Sequence, residues 1–355
     1  MNLTVIKKLP PAEEIIKRFP LGEAGHRKIK QDRTEIKNIL EGKDRRFLVI
    51  VGPCSAWPKE AVLEYAQRLK KLETKFKNHL KIVMRVFIQK PRTTKGWTGP
   101  LNQPDPLGKP DIENGIYYTR EMMVKIIELG LPIADEALFT HNEKSFLELL
   151  SWVAIGARSA EDQEHRIFAS ALPCAVGLKN PTYGSIDIGV NSVVAAQYPH
   201  VATFDGYEVQ TKGNKYAHLI LRGGVQGPNY SLGSINLAIK EMKKHNIKKP
   251  SIILDASHDN SMMDGIKNHT NQTLVARNSL KILKQHPELL KVVKGFMFES
   301  FIKEGNQKVN PKEPKKLDLG GLSITDACLG FEQTEKVLAK LAEFKKSYGS
   351  RTKSY

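Results

Sequence analysis

Eight short apolar runs, rich in β-branched residues, recur along the chain with helix-like stretches between them. FLVIVG runs to Cys54, IVMRVFI carries Arg85 and reaches Lys90, PIADE closes on Glu136, and VAIGA leads to Arg158. AVGL leads to Lys179, HLIL to Arg222, SIILDAS to His258 and GFMF to Glu299. Strands that alternate with helices imply a parallel sheet with crossover connections. Eight such strands can close into a barrel, a fold that gathers the C-terminal strand ends, and with them the active site, around one mouth. An anion- or metal-holding side chain at each of those ends therefore predicts an α/β protein of the (β/α)8 barrel type, and predicts where its chemistry lies.

Residues 1–45 precede the first strand and form no βα unit. LPPAEEIIKRFP reads as a short helix and HRKIKQDRTEIKNILEG as an amphipathic one stopped by Gly42. This extension is expected to pack on the barrel or on a neighbouring subunit, with the catalytic barrel spanning 46–350. KEAVLEYAQRLKKLETKF, YYTREMMVKIIELG, EKSFLELLS, DQEHRIFASAL, GSIDIGVNSVVAAQ, SLGSINLAIKEMKKHN and NQTLVARNSLKILKQ read as the intervening helices. Two stretches break the pattern. VATFDGYEVQTKGN, near 201–214, looks like a hairpin inserted before strand six. The loop from Lys90 to Gly115 is far longer than ordinary βα connections, and long loops in compact domains are usually functional.

The formal charge is +17, from 55 Lys and Arg against 38 Asp and Glu. The lysines are dispersed rather than striped and no aromatics interleave with them, so solvated helix faces explain them better than a nucleic-acid surface. No nucleic-acid partner is expected. No apolar run nears the roughly 20 residues that span a bilayer, so no membrane partner is expected either. The start of the chain lacks an apolar export segment. Three cysteines without CxxC spacing fit a reduced, cytoplasmic protein better than a disulfide scaffold.

In a closed barrel strand eight neighbours strand one, so Cys54, His258, Glu299 and Asp326 can converge. A thiolate, an imidazole and two carboxylates suit Mn, Fe, Co or Zn as the divalent metal better than Mg, because a hard ion gains little from sulfur. Each residue alone also reads as an ordinary buried cysteine, loop-bonding histidine or solvated carboxylate. Arg85, Lys90, Arg92, Arg158, Lys179 and Arg222 would crowd cations into the same mouth, which calls for a polyanionic substrate carrying phosphate and carboxylate. In KPRTTKGWTG, Arg92, Thr93 and Thr94 offer a guanidinium and two hydroxyls to a phosphate, while Gly96 and Gly99 permit close backbone approach.

GPCS, KPRTTKGW, GARSAEDQEHR, GLKN, LRGG with PNYS, DASH, ES with EGNQ, and SITDAC together resemble the type I, microbial α-type branch of the 3-deoxy-D-arabino-heptulosonate-7-phosphate (DAHP) synthases. The resemblance covers nearly the whole chain. It implies a metal-dependent condensation of phosphoenolpyruvate with erythrose 4-phosphate on a (β/α)8 barrel, the first step of the shikimate pathway. It places metal ligands on Cys54, His258, Glu299 and Asp326. It places phosphoenolpyruvate contacts on Arg85, Lys90, Arg158, Lys179 and Arg222 with Glu136 alongside, and the aldose phosphate on Arg92 and Thr93. Lys90, Glu136 and His165 are then the candidate catalytic groups, although His165 also reads as a helix-surface histidine.

The chain departs from the family pattern in several places. GPCSAWPK stands where relatives usually read GPCSIHD, Thr98 where they have lysine, Phe301 where histidine is common, and DASHDN where DFSHAN is common. LFTHNEK and a shortened hairpin replace the inhibitor-binding segments, so the resemblance carries over no particular aromatic amino acid as effector. A paralogue serving secondary metabolism, with altered or absent feedback, is the alternative within the family. An arabinose 5-phosphate synthase would lack the KPRTTxGW loop, and a catalytically silent sensor would not need the full metal and phosphate set. The arm and the hairpin, with the family's habit, imply a homodimer or homotetramer.

Overall fold

In a computed structural model, the structure describes residues 2–92, 95–138, 144–263 and 265–351. After α1 (Ala12–Arg18) and α2 (Glu23–Glu41), the strands β1 (Phe47–Gly52), β2 (Leu80–Arg85), β3 (Ile133–Ala137), β4 (Trp152–Ile155) and β5 (Ala175–Lys179) follow. The hairpin β6 (Val201–Phe204) and β7 (Tyr207–Gln210) comes next, then β8 (Ala217–Leu221) and β9 (Ile252–Asp255). A two-residue pair, β10 (Met262–Met263) and β11 (Ile266–Lys267), precedes β12 (Val293–Glu299). The eight longer non-hairpin strands close in the order β1-β12-β9-β8-β5-β4-β3-β2, and every pairing among them is parallel. This is the expected (β/α)8 barrel. Every residue of those eight strands is buried, which is why they are dominated by apolar residues, with charged side chains such as Lys81, Arg85, Asp135, Glu136 and Glu299 paired or hydrogen-bonded.

The outer helices are α3 (Lys59–Phe76), α4 (Ile112–Glu128), α5 (Gln163–Ala171), α6 (Ile186–Gln197), α7 (Leu232–Lys244), α8 (Asn271–Gln285) and α9 (Phe331–Arg351). Asp111, Asp162, Ser185 and Ser231 cap four of them by accepting a backbone N–H of the first turn. EKSFLELLS does not form the expected helix. Its described part holds a single 3₁₀ turn, Leu147–Leu149, because β4 begins at Trp152 and leaves no length for a helical nucleus to propagate.

Helix α2 is part of the barrel core. Its Ile36, Ile39 and Leu40 pack with Leu48, Val83 and Trp152 of the barrel interior, so it stoppers the N-terminal end. Gly42, in the left-handed region at φ 76°, ends it with N–H bonds back to Asn38 and Ile39. Lys81 Nζ, at the start of β2, donates to Asp32 at 2.6 Å and Glu35 at 2.8 Å, which locks the plug to the sheet. Among the described residues no helix is long and apolar enough to cross a membrane.

Candidate active site

The strand register decides what meets at the C-terminal mouth. β1 and β12 pair with Gly52 opposite Glu299, so Cys54, two residues past β1, stands beside the last residue of β12. Asp326 arrives on the loop beyond. The Cys54 thiol and one carboxylate oxygen each from Glu299 and Asp326 all lie within 4.8 Å of one another. His258, three residues past β9, turns toward the same place, with Nε2 3.6 Å from Glu299 Oε1 and Nδ1 2.9 Å from Asp255 Oδ2. The second contact has ion-pair distance without hydrogen-bond alignment. His258 sits at φ 52°, an uncommon conformation for a non-glycine residue and one that clusters at functional sites.

Glu299 is held from every side. Ser257 Oγ donates to its Oε2 at 2.6 Å, Arg85 Nη2 donates to its Oε1 at 3.1 Å, and Gln272 bonds both its backbone N–H and its carbonyl. Burial pushes the Cys54 thiol up, Glu299 and Asp326 push it further, and Lys90 and Arg85 oppose them. A divalent cation would reverse that balance, since a coordinating thiol is deprotonated outright. Sulfur and two carboxylates at this spacing, with the His258 nitrogen beside Glu299, fit a borderline-soft divalent metal.

The facing wall is basic. Lys90 Nζ donates to the Cys54 carbonyl at 2.8 Å. Burial pulls that ammonium down, but Cys54, Glu136 and Glu299 outweigh it, so Lys90 is held protonated above its ordinary range. Lys179 Nζ, at the end of β5, lies 3.6 Å from Glu136 Oε2 and 3.9 Å from Asp255 Oδ2. Arg222 pairs with Asp259 at 2.5 Å, and its backbone N–H is fixed by Asn180 Oδ1 at 2.9 Å. Arg92, Lys95 and Arg158 stand more exposed at the rim. The cavity measures about 410 Å³, and its lining sets six Lys and Arg side chains against four carboxylates. Two buried donors beside it, Arg85 Nη1 and Arg222 Nε, have no hydrogen-bond acceptor among the described residues. Such groups cost free energy until an acceptor arrives, and an oxyanion would supply one.

Cys54, Lys90, Arg92, Glu136, Arg158, Lys179, Arg222, His258, Glu299 and Asp326 thus line one cavity. Arg85 lies beneath it, fully buried against Glu299, with its guanidinium 4.0 Å over the Phe87 ring. His165 does not line it: Nδ1 faces the Asp162 carboxylate and Nε2 the Leu138 carbonyl at 3.1 Å, which ties α5 to the end of β3. Thr93 and Thr94 lie outside the described residues. Gly99 packs where a Cβ would stand 2.4 Å from the Ile88 carbonyl, and a Cβ on Gly96 would strike the Arg92 guanidinium, so both glycines allow close approach in the long loop.

Sequence reasoning passed over Asp255, Asp259, Ser257 and Asp135. The i, i+4 acids flanking His258 in DASHDN were the available signal for the first two. Burial, offset in part by N–H bonds from Glu136 and Ile88, raises the Asp135 carboxyl to about 8.

A closed parallel barrel with a thiol–carboxylate cluster and a cationic wall at its C-terminal mouth defines a (β/α)8-barrel enzyme. The chain belongs to the DAHP synthetase I family, whose sequence model matches residues 26–339. The Tyr-sensitive phospho-2-dehydro-3-deoxyheptonate aldolase of Salmonella typhimurium is 38% identical over 348 residues, covering 96% of this chain and 94% of that protein. A Trp-sensitive counterpart from Enterobacter agglomerans is 42% identical over 316 residues, covering 88% of this chain and 87% of its own. The structure of the Francisella tularensis SCHU S4 phospho-2-dehydro-3-deoxyheptonate aldolase superposes with a TM-score of 0.90 at 38% identity, covering 97% of this chain and 99% of that one.

Proposed function

We propose that the chain is a DAHP synthase: it joins phosphoenolpyruvate, erythrose 4-phosphate and water into DAHP and inorganic phosphate, at the entry to aromatic amino acid biosynthesis. The observation that carries this reading is the single cavity in which the Cys54–Glu299–Asp326 cluster faces Lys90, Lys179 and Arg222. Arg158, Lys179 and Arg222 hold the carboxylate and phosphate of phosphoenolpyruvate, and Arg85, underneath, fixes Glu299. Arg92, with Thr93 beside it in sequence, holds the phosphate of the aldose.

Cys54, His258, Glu299 and Asp326 would hold Mn, Fe, Co or Zn. When bound, that ion supplies a Lewis acid for the aldehyde oxygen. Carbon 3 of phosphoenolpyruvate forms the new bond to the aldehyde carbon while the aldehyde C=O pair moves to oxygen. Lys90, held as an ammonium, donates its Nζ proton to that developing alkoxide. Glu136, beside Lys179, accepts a proton from the water that adds at carbon 2. The C–O bond to phosphate then breaks and its pair leaves with phosphate, while the carbon 2 hydroxyl closes to the ketone and gives its proton to the departing phosphate. Arg158, Lys179 and Arg222 stabilise the shifting charge without reorganising. His165 orients α5 through Asp162 and Leu138 in this scheme. The test is phosphate release: it should require both substrates, stop on chelation, and return with one of the four metals. Release from phosphoenolpyruvate alone would refute the condensation.

The relatives named Tyr- and Trp-sensitive support an aromatic amino acid as effector. A cavity of about 590 Å³ between the β6–β7 hairpin and α5, lined by Phe168, Phe204 and Lys144 among others, has suitable walls. Assays with added Phe, Tyr or Trp decide it, and indifference to all three would favour the secondary-metabolism paralogue that the altered LFTHNEK segment suggests. Exposed Leu3, Val5 and Ile6 on the arm and Val201 and Tyr207 on the hairpin support a homodimer or homotetramer, measurable by light scattering. The cytoplasm is the setting that goes with this function.

A further inference from the structure

The opposite end of the barrel holds a second cationic cavity that the proposed reaction does not use. It measures about 560 Å³ and lies between the last turn of α2, the start of β12 and the outer face of α9. Its walls are apolar, from Ile39, Phe47, Leu290 and Val293, and its polar groups are mostly cations. Lys294 is the second residue of β12, at the point where the register with β9 skips from Val293↔Ile252 to Gly295↔Ile253. The bulge re-aims this residue. Lys294 is only 7% exposed. Lys345 reaches in from α9 with its ammonium 4.3 Å over the Phe47 ring, and Arg45 and Lys291 stand at the edge.

Among the described residues, neither Lys294 nor Lys345 has a hydrogen bond or an ion pair. The nearby acids are committed elsewhere: Asp44 to Arg46 through both oxygens, and Glu41 to Lys43 at 2.6 Å and Lys249 at 3.2 Å. The C-terminal end of α2 offers about half a negative charge, enough to favour one ammonium and not two. Burial lowers both ammonium groups, and Lys294 and Arg45 add to the lowering of Lys345 while Asp44 opposes it, so that Lys345 falls to about 8. A mostly buried cation with no hydrogen-bond acceptor or contact ion pair of its own is unfavourable unless a ligand completes it.

We propose that this cavity binds a small organic anion, a carboxylate or phosphate carried on an apolar body, with Lys294 and Lys345 as its counter-ions. The site is remote from the catalytic mouth along the barrel axis, so an anion here acts on the barrel's closed end and not on the substrates.

The test is residue-by-residue mass mapping of amine acylation on the full-length, metal-loaded protein, with inorganic phosphate and benzoate as separate probes. A probe at ten times its Kd should slow labelling of Lys294 and Lys345 about tenfold and leave surface lysines such as Lys240 and Lys308 unchanged. Protection by phosphate alone assigns a phosphate ligand, protection by benzoate alone a carboxylate on an apolar body, and protection by both the shared oxyanion chemistry. Lys345→Gln should abolish protection of Lys294 without lowering the Tm of the probe-free protein. Protection confined to Lys90 and Lys179, or no protection by either probe, overturns the proposal. So does a Lys294→Met variant whose Tm falls while the probes still raise it, because that outcome makes Lys294 a helix cap and nothing more.

Discussion

Arg85 and Glu299 form an ion pair of 3.1 Å in which neither side chain is exposed at all. The pair joins the end of β2 to the end of β12 beneath the cavity floor, with β1 running between them. Removing one partner from such a pair strands a buried charge, at about 3–5 kcal/mol. Arg85→Ala should therefore lower the denaturation free energy by about that much, and adding the divalent ion should recover part of the loss by neutralising Glu299. A change under about 1 kcal/mol would show that the carboxylate is satisfied without the arginine.

The loop after Lys90 divides the two substrates. Arg92 stands at the rim, while Lys179 and Arg222 lie deep. Arg92→Ala should raise KM for erythrose 4-phosphate by about tenfold or more and leave KM for phosphoenolpyruvate within about twofold, a cost of about 1.4 kcal/mol or more on one substrate alone. Equal effects on both substrates in steady-state kinetics would remove the division.

His218 gives a pH signature far from the site. Buried with Trp152 near the plugged end, its Nε2 accepts the indole N–H at 3.2 Å and its Nδ1–H donates to the Tyr216 carbonyl at 2.9 Å. Burial lowers this imidazole to about 4, from an ordinary 6.5, against the raising effect of Tyr216. An unfolded chain takes up the proton near 6.5 and the folded one near 4, so the stability is whole above about 6.5 and is lost as pH falls through 4. The loss amounts to about 3 kcal/mol. His218→Gln should flatten the difference in denaturant midpoint between pH 7 and pH 5 relative to the parent. An unchanged slope would place the titration elsewhere.

The α2 plug is testable by truncation. Ile36 is fully buried in the barrel interior, so Ile36→Ala should cost about 2–5 kcal/mol as a cavity forms. A loss below about 1 kcal/mol in chemical denaturation would mean that α2 rests on the barrel without closing it.

Much of this was legible in the chain. Strands buried on both faces must be apolar throughout, so FLVIVG, SIILD and GFMF announce themselves, and the residues just beyond them fall at the mouth by topology. Depth was not legible. Nothing in IVMRVFI tells whether Arg85 enters the cavity or lies under it, because that depends on the register against β1 and β12. The Asp135 carboxyl sits among strand residues whose burial raises its pKa, and burial is a property of the closed barrel. EKSFLELLS has a helical composition, but the early start of β4 leaves it no room. His165 could be read toward the site or away from it until Asp162 and Leu138 were seen to take both ring nitrogens. The plug role of α2 was hidden because an amphipathic stripe does not say which surface it covers.

The thiol of Cys54 and the carboxylates of Glu299 and Asp326 are expected to share one ion. Anomalous diffraction from crystals loaded with Mn²⁺ or Zn²⁺ tests it most directly. The expected result is one peak at bonding distance, about 2.0–2.4 Å, from Cys54 Sγ, Glu299 and Asp326, with His258 completing the set. No peak there at full loading, or a peak that leaves Cys54 as a free thiol, would contradict the account.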